Sequence, residues 1–102
     1  MKRPDEIKDG ILCTEVGAVY FSPYEQHLVE ALLAVRSTGR LLPLSYLVES
    51  LYQYPRDEPE WPEEVVKMLL SRIRKKLPKV GLLLTSSRGH GRGYRIEAVL
   101  QE

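Results

Sequence analysis

Cysteine is nearly missing from this chain. Cys13 is its single thiol in 102 residues, which rules out an intrachain disulfide and a cluster of cysteine metal ligands. A reducing compartment is the simplest expectation for such a sequence. No apolar run comes near the roughly 20 residues that a membrane-spanning helix requires. The polar start Met1-Lys2-Arg3-Pro4-Asp5-Glu6 carries no apolar block of the kind a secretory signal needs. A cytoplasmic protein without membrane contact is therefore expected. His27 and His90 have no second Cys or acidic cluster at ligand spacing, so neither a metal nor a cofactor is expected. A nucleophile–base pair, a carboxylate dyad and a phosphate-binding loop of the right form are missing too, and the chain is not expected to be an enzyme.

The most telling absence is of one sign of charge. Between Lys67 and Ile96 there is no Asp or Glu, yet this stretch holds nine basic residues: Lys67, Arg72, Arg74, Lys75, Lys76, Lys79, Arg88, Arg92 and Arg95. Only Glu97 and Glu102 oppose them, so residues 67–102 carry a net charge of +7, whereas residues 1–66, with six cations and twelve acids, carry −6. The overall charge of +1 conceals this division. Positive potential gathered on one side concentrates polyanions better than the same charges scattered evenly, and it is the footprint of a DNA-binding element.

What is present suits a folded domain. With 43% hydrophobic and 28% charged residues the composition argues against disorder. A chain of this length buries roughly 65% of its unfolded surface, enough for one core. Residues 1–102 are read as a single domain, with 1–9 as a flexible N-terminal segment. Ile11 to Cys13 and Ala18 to Phe21 are short β-prone runs around Val16-Gly17 and predict a small hairpin. Ser22-Pro23-Tyr24-Glu25 has the form of a capping box with proline at the first helical position, and Leu28, Leu32 and Leu33 continue at helical spacing toward Gly39. Leu41-Leu42 is long enough only for a bridging strand. After Pro43, the spacing of Leu44, Leu47, Val48 and Leu51 predicts a second helix. Residues 52–61, rich in proline and acid, read as an exposed connection.

A third helix is expected to open at Pro62 and run to about Pro78, with Glu63 and Glu64 in its first turn and Arg74, Lys75 and Lys76 in its last, both suiting the helix dipole. Val66, Leu69, Leu70, Ile73 and Leu77 fall on one side. Ser71 and Lys75 centre the other, flanked by Lys67 and Arg74 on one edge and by Met68 and Arg72 on the other. Residues 81–85 and 94–99 then read as two strands around the glycine-rich Ser86-Ser87-Arg88-Gly89-His90-Gly91-Arg92-Gly93. Cys13 reads as a small buried hydrophobe. Tyr94 reads as a packing residue at the base of the second hairpin, and Trp61 either as a core anchor or as part of a contact surface with Tyr52 and Tyr54.

Three motifs in order carry a family resemblance. Phe21-Ser22-Pro23-Tyr24-Glu25 is close to a Leu-Thr-Pro-x-Glu motif, Arg72-Ile73-Arg74-Lys75-Lys76-Leu77 to Arg-x-Leu-Arg-x-Lys-Leu, and His90-Gly91-Arg92-Gly93-Tyr94-Arg95 to Arg-Gly-x-Gly-Tyr-Arg except at its first position. Over nearly its whole length the chain resembles the winged helix-turn-helix effector domain of OmpR/PhoB-type response regulators. The resemblance implies an α+β fold of three helices with a short N-terminal hairpin and a C-terminal hairpin as the wing. It implies a regulator of transcription that binds specific double-stranded DNA, with helix 62–78 in the major groove and the wing, about 85–95, on the minor groove.

Departures from the family pattern are also visible. A chain of 102 residues has no room for the receiver domain usually attached, so phosphorelay control is not expected. Glu64, Leu69 and Ser71 stand where the family commonly has Arg, a polar residue and a basic or polar one, so no base preference carries over. Pro43 replaces the usual serine cap.

The candidate DNA-binding residues are Lys67, Ser71, Arg72, Arg74, Lys75, Arg88, Arg92 and Arg95. Arg72 is the expected base reader by family position, because a planar guanidinium donates twice to guanine, and lysines neutralise phosphates. Glycines around Arg92 allow it to enter a minor groove. A single such helix reads one half-site, so a homodimer or tandem binding on repeated sites is expected. The 52–61 loop, by family position, is a candidate contact for RNA polymerase. The competing reading is a winged-helix protein–protein adaptor acting on the transcription machinery, with the acidic first half and the aromatic loop as its working surface.

Overall fold

A computed structural model describes residues 7–52, 59–87 and 93–98. The described residues begin with a three-stranded antiparallel sheet of β1 (Ile7–Lys8), β2 (Ile11–Cys13) and β3 (Ala18–Tyr20), in that spatial order. Asp9 and Gly10 form the β1–β2 turn, both with positive φ (56° and 81°), as a two-residue hairpin loop of the primed type requires. The expected hairpin is present as β2 and β3, and one further strand extends it: Ile7 pairs Leu12 and Lys8 pairs Ile11. The flexible segment expected over 1–9 is thus corrected at residues 7–9, while residues 1–6 lie outside the described residues. Alternation along β2 buries Leu12 and exposes Ile11 and Cys13. Cys13 is therefore exposed, not a buried hydrophobe, because the inward place belongs to its neighbour.

Helix α1 (Pro23–Ala34) opens with the predicted capping box. The Glu25 backbone N–H donates to Ser22 Oγ at 3.4 Å, and the Ser22 N–H donates to Glu25 Oε1 at 3.0 Å. The helix ends at Ala34, short of Gly39. Val35 leaves the helical region, Arg36–Thr38 tighten into a 3-10 turn, and Gly39 follows in the left-handed conformation with φ 72°. Leu42 then bridges Tyr94 through two backbone hydrogen bonds of 2.9 and 2.8 Å, the short bridging strand expected there. Pro43, extended and without a side-chain cap, leads into α2 (Leu44–Leu51), which buries Leu47 and Val48.

Helix α3 (Pro62–Lys76) has proline at its first position and acid in its first turn, as read from the sequence. Val66, Leu69, Leu70 and Ile73 are buried, together with Leu77 just beyond. Pro78 does not end the turn abruptly, because the chain narrows into a 3-10 segment, Leu77–Val80, that tolerates it. Gly81 reverses direction with φ 76°, and a Cβ there would lie 2.8 Å from Val16 Cγ2. The hairpin of β4 (Leu82–Ser87) and β5 (Gly93–Ala98) follows, in register from Leu82 opposite Ala98 to Ser87 opposite Gly93.

These elements give an α+β architecture in the winged helix-turn-helix layout. Its core joins Leu12 and Phe21 of the N-terminal region, Leu28 and Leu32 of α1, Leu47 of α2, the α3 stripe, and Leu82, Leu84 and Ile96 of the hairpin. Among the described residues no helix is long and apolar enough to cross a membrane.

Candidate nucleic-acid interface

Helix α3 has two faces with different work. One is the core stripe. On the other, Lys67, Met68, Ser71, Arg72 and Lys75 are all exposed, so four of the predicted site residues come together on one surface with a methionine among them. Lys67 has an acidic neighbour: its Nζ lies 3.7 Å from Glu64 Oε1 one turn earlier, with both side chains more than half exposed. Such a pair contributes at most about 0.5 kcal/mol and yields readily to a competing anion. Arg72 Nη2 lies 4.0 Å from Met68 Sδ, a weak contact along the same face. Lys75 makes no ion pair among the described residues.

The remaining candidates divide. Arg74 donates from Nε to the Leu84 carbonyl at 3.4 Å, which ties the helix flank to β4. Arg95 pairs with Glu97 at 2.6 Å and donates to the Gly39 carbonyl at 3.2 Å, so much of its hydrogen-bonding capacity is spent inside the molecule. Arg88 and Arg92, with His90 and the rest of the wing tip, lie outside the described residues, as does Tyr54.

Lys76 changes the charge account most. Its ammonium is 2.6 Å from Oε1 of Glu25, a carboxylate only 2% exposed, and it also donates to the Tyr20 carbonyl at 3.1 Å. It sits 5.4 Å from the centre of the Phe21 ring, within cation–π range. Burial pushes the Glu25 carboxyl up, but the Lys76 hydrogen bond, the Ser22 backbone N–H and the Lys76 charge outweigh it and hold the group below its ordinary value. The nine cations are thus not uniformly uncompensated. The same end of α3 is gripped by the β2–β3 turn: Thr14 Oγ1 donates to the Val80 carbonyl at 2.7 Å, and a Cβ on Gly17 would fall 2.9 Å from the Lys79 carbonyl.

A cleft of about 640 Å³ separates the first half of α3 from the base of the wing, lined by Leu44, Glu63, Lys67, Ser86, Ser87, Gly93 and Tyr94. Gly93 is required here by close approach, since a Cβ would meet the Leu42 carbonyl oxygen at 2.8 Å. Tyr94 is half-buried and packs against the core, as expected, while also lining this cleft. Sequence reasoning passed over Ser86 and Ser87. The hydroxyl pair at the end of a β-prone run, beside the glycine-rich tip, was the available signal.

The aromatic group near the α2–α3 connection is split as well. Tyr52 is half-buried and its ring lies 6.4 Å from that of Tyr24 at 55°. Trp61 is 67% exposed at the N-terminal boundary of α3, so it does not anchor the core; Pro62 and Val65 lie closer to the body. His27 Nε2 and Ser50 Oγ, 2.8 Å apart, join α1 to α2. No group of three or more metal-ligating side chains occurs among the described residues. No protein-family model matches this chain, and no curated protein matches it.

Proposed function

We propose that this protein binds double-stranded DNA in a sequence-specific way and regulates transcription, with α3 in the major groove and the wing, about 85–95, on the neighbouring minor groove. The observation that carries the reading is the outward face of α3. Lys67, Ser71, Arg72 and Lys75 are exposed along a helix of 15 residues whose opposite stripe is locked in the core. A helix about 22 Å long fits the major groove end-in or lengthwise, and these groups offer guanidinium and hydroxyl donors for base edges and ammonium groups for phosphates. Lys67 also lines the cleft between the helix and the hairpin, where the Ser86 and Ser87 hydroxyls are further hydrogen-bonding groups. The three motifs shared with OmpR/PhoB-type effector domains support the same reading, and tandem or dimeric binding on repeated half-sites follows from one such helix per chain.

Gel-shift titration at low salt with a random-sequence duplex tests the reading, comparing wild type with the double variant Lys67→Ala, Lys75→Ala. The expected result is binding by the wild type and loss of most of it in a variant that keeps its circular dichroism spectrum. A wild type that shifts no duplex sinks the proposal.

The adaptor reading is favoured by one observation, the exposed Trp61 beside Glu60, Glu63 and Glu64. An aromatic ring in an acidic setting suits a basic protein surface such as a polymerase subunit. Under that reading Trp61→Ala abolishes transcriptional effect while duplex affinity stays unchanged.

A further inference from the structure

Met68 is 47% exposed, and in helical projection it lies about 20° from Lys75, one of the two residues that centre the outward face of α3, and about 40° from Arg72 on the same edge. A single exposed apolar side chain is ordinary on a protein surface. Its neighbours make this one informative. Glu64, Lys67, Ser71, Arg72 and Lys75 share its side of the helix, all exposed and polar, while the half-buried Val65 one turn earlier packs against the core, and Met68 is not among the residues of the core cluster. The Arg72 guanidinium lies one helical turn away, with Nη2 in weak contact with Met68 Sδ at 4.0 Å, so the two side chains are neighbours on the same face.

The chemistry of the major groove supplies a counterpart for such a pair. Guanine offers two acceptors to a guanidinium, whereas thymine offers the one apolar group on any base edge, its C5-methyl. An unbranched, polarizable thioether adapts to such a methyl without demanding hydrogen-bond geometry. Residues four apart on a helix stand about 5–6 Å from each other, and successive bases on a strand are about 3.4 Å apart, so the pair spans one or two base steps.

We infer that Met68 is a specificity-determining residue that contacts a thymine methyl within two base pairs of the guanine read by Arg72. The inference rests on the duplex-binding reading above and sharpens it: the preferred site contains a guanine and a thymine in that relation.

Deoxyuridine, which is thymidine without the methyl, isolates the contact. A duplex selected by the wild-type protein from a random pool is rebuilt with each thymine in turn replaced by deoxyuridine. Wild type, Met68→Ala and Met68→Leu are then titrated on every version. The wild type is expected to lose about fourfold in affinity at one position, the worth of one buried methyl. Met68→Ala should bind the thymine and deoxyuridine versions equally at that position, and Met68→Leu should keep the discrimination. Because the residue is exposed, neither substitution threatens the fold. Three results overturn the inference and leave sequence-specific duplex binding standing: a wild type indifferent to every replacement, a Met68→Ala protein that still discriminates, or a selected site without thymine in that range. Failure of the wild type to bind any duplex at low salt overturns both.

Discussion

Lys75 and Lys76 are adjacent in the chain and identical in chemistry, yet they belong to different parts of the molecule. Lys76 points back to the body, where it meets the buried Glu25 carboxylate, the Tyr20 carbonyl and the Phe21 ring. Lys75 stands on the outward face with no ion pair among the described residues. A rotation of about 100° per residue is the whole difference between them. It teaches that a run of positive charge on a helix cannot be counted as one ligand surface. The inward lysine fixes the far end of α3 to the N-terminal sheet and α1, and that fixed end is what holds the outward residues in register.

The comparison breaks first on stability. Lys76→Met leaves Glu25 buried without its cation, and chemical denaturation should show a loss of about 2–3 kcal/mol. That is below the roughly 3–5 kcal/mol of fully buried pairs because Lys76 keeps about a third of its exposure. Lys75→Ala should change stability by no more than about 0.5 kcal/mol. Equal losses from the two substitutions contradict the division.

Affinity is where the outward residues should separate from one another. Arg72→Ala is expected to cost about 1–3 kcal/mol on the preferred duplex and to flatten the preference at one base pair, while Lys75→Ala should weaken all sequences alike. Should both substitutions lower specific and random binding equally, Arg72 is not a base reader.

Acid should expose the inward pair. The Glu25 carboxyl is held below its ordinary value near 4.5, so its stabilising effect is complete above that pH and is lost as the pH falls through the lowered value. Wild type should therefore lose stability as the pH falls below about 4.5 more steeply than Glu25→Gln, whose side chain does not titrate. Parallel pH profiles would show that the pair contributes nothing to acid sensitivity. A small effect is expected at Arg95, a half-exposed partner of Glu97: Arg95→Ala should lower the unfolding free energy in chemical denaturation by less than about 1 kcal/mol.

How far these roles were legible in the sequence follows from how far each interaction reaches. The capping box at Ser22 and Glu25 spans three residues, and both of its hydrogen bonds stand where the motif predicts them. The α3 stripe was equally legible, because its five apolar positions and its polar positions repeat within one element. Asp9-Gly10 was legible and passed over: an Asp-Gly pair between apolar-bearing runs is a hairpin signal, and reading residues 1–9 as flexible missed it. The Glu25–Lys76 pair was not legible, since its partners lie 51 residues apart and only packing of α1 against α3 brings them together. The buried reading of Cys13 failed, and the choice between core and surface for Trp61 stayed open, for a related reason. A three-residue strand does not announce which parity faces inward, and an aromatic ring at a helix boundary has no periodic neighbours to fix its side.

The central claim is that the outward face of α3, together with the wing, meets the phosphates of duplex DNA. Salt dependence tests it most directly. Equilibrium titration of the wild-type protein with one duplex across a range of salt concentrations gives the slope of log affinity against log salt. If about five of the basic residues meet phosphates, that slope should be roughly −4 to −5. A slope indistinguishable from zero, or no binding to any duplex at the lowest salt, contradicts the account.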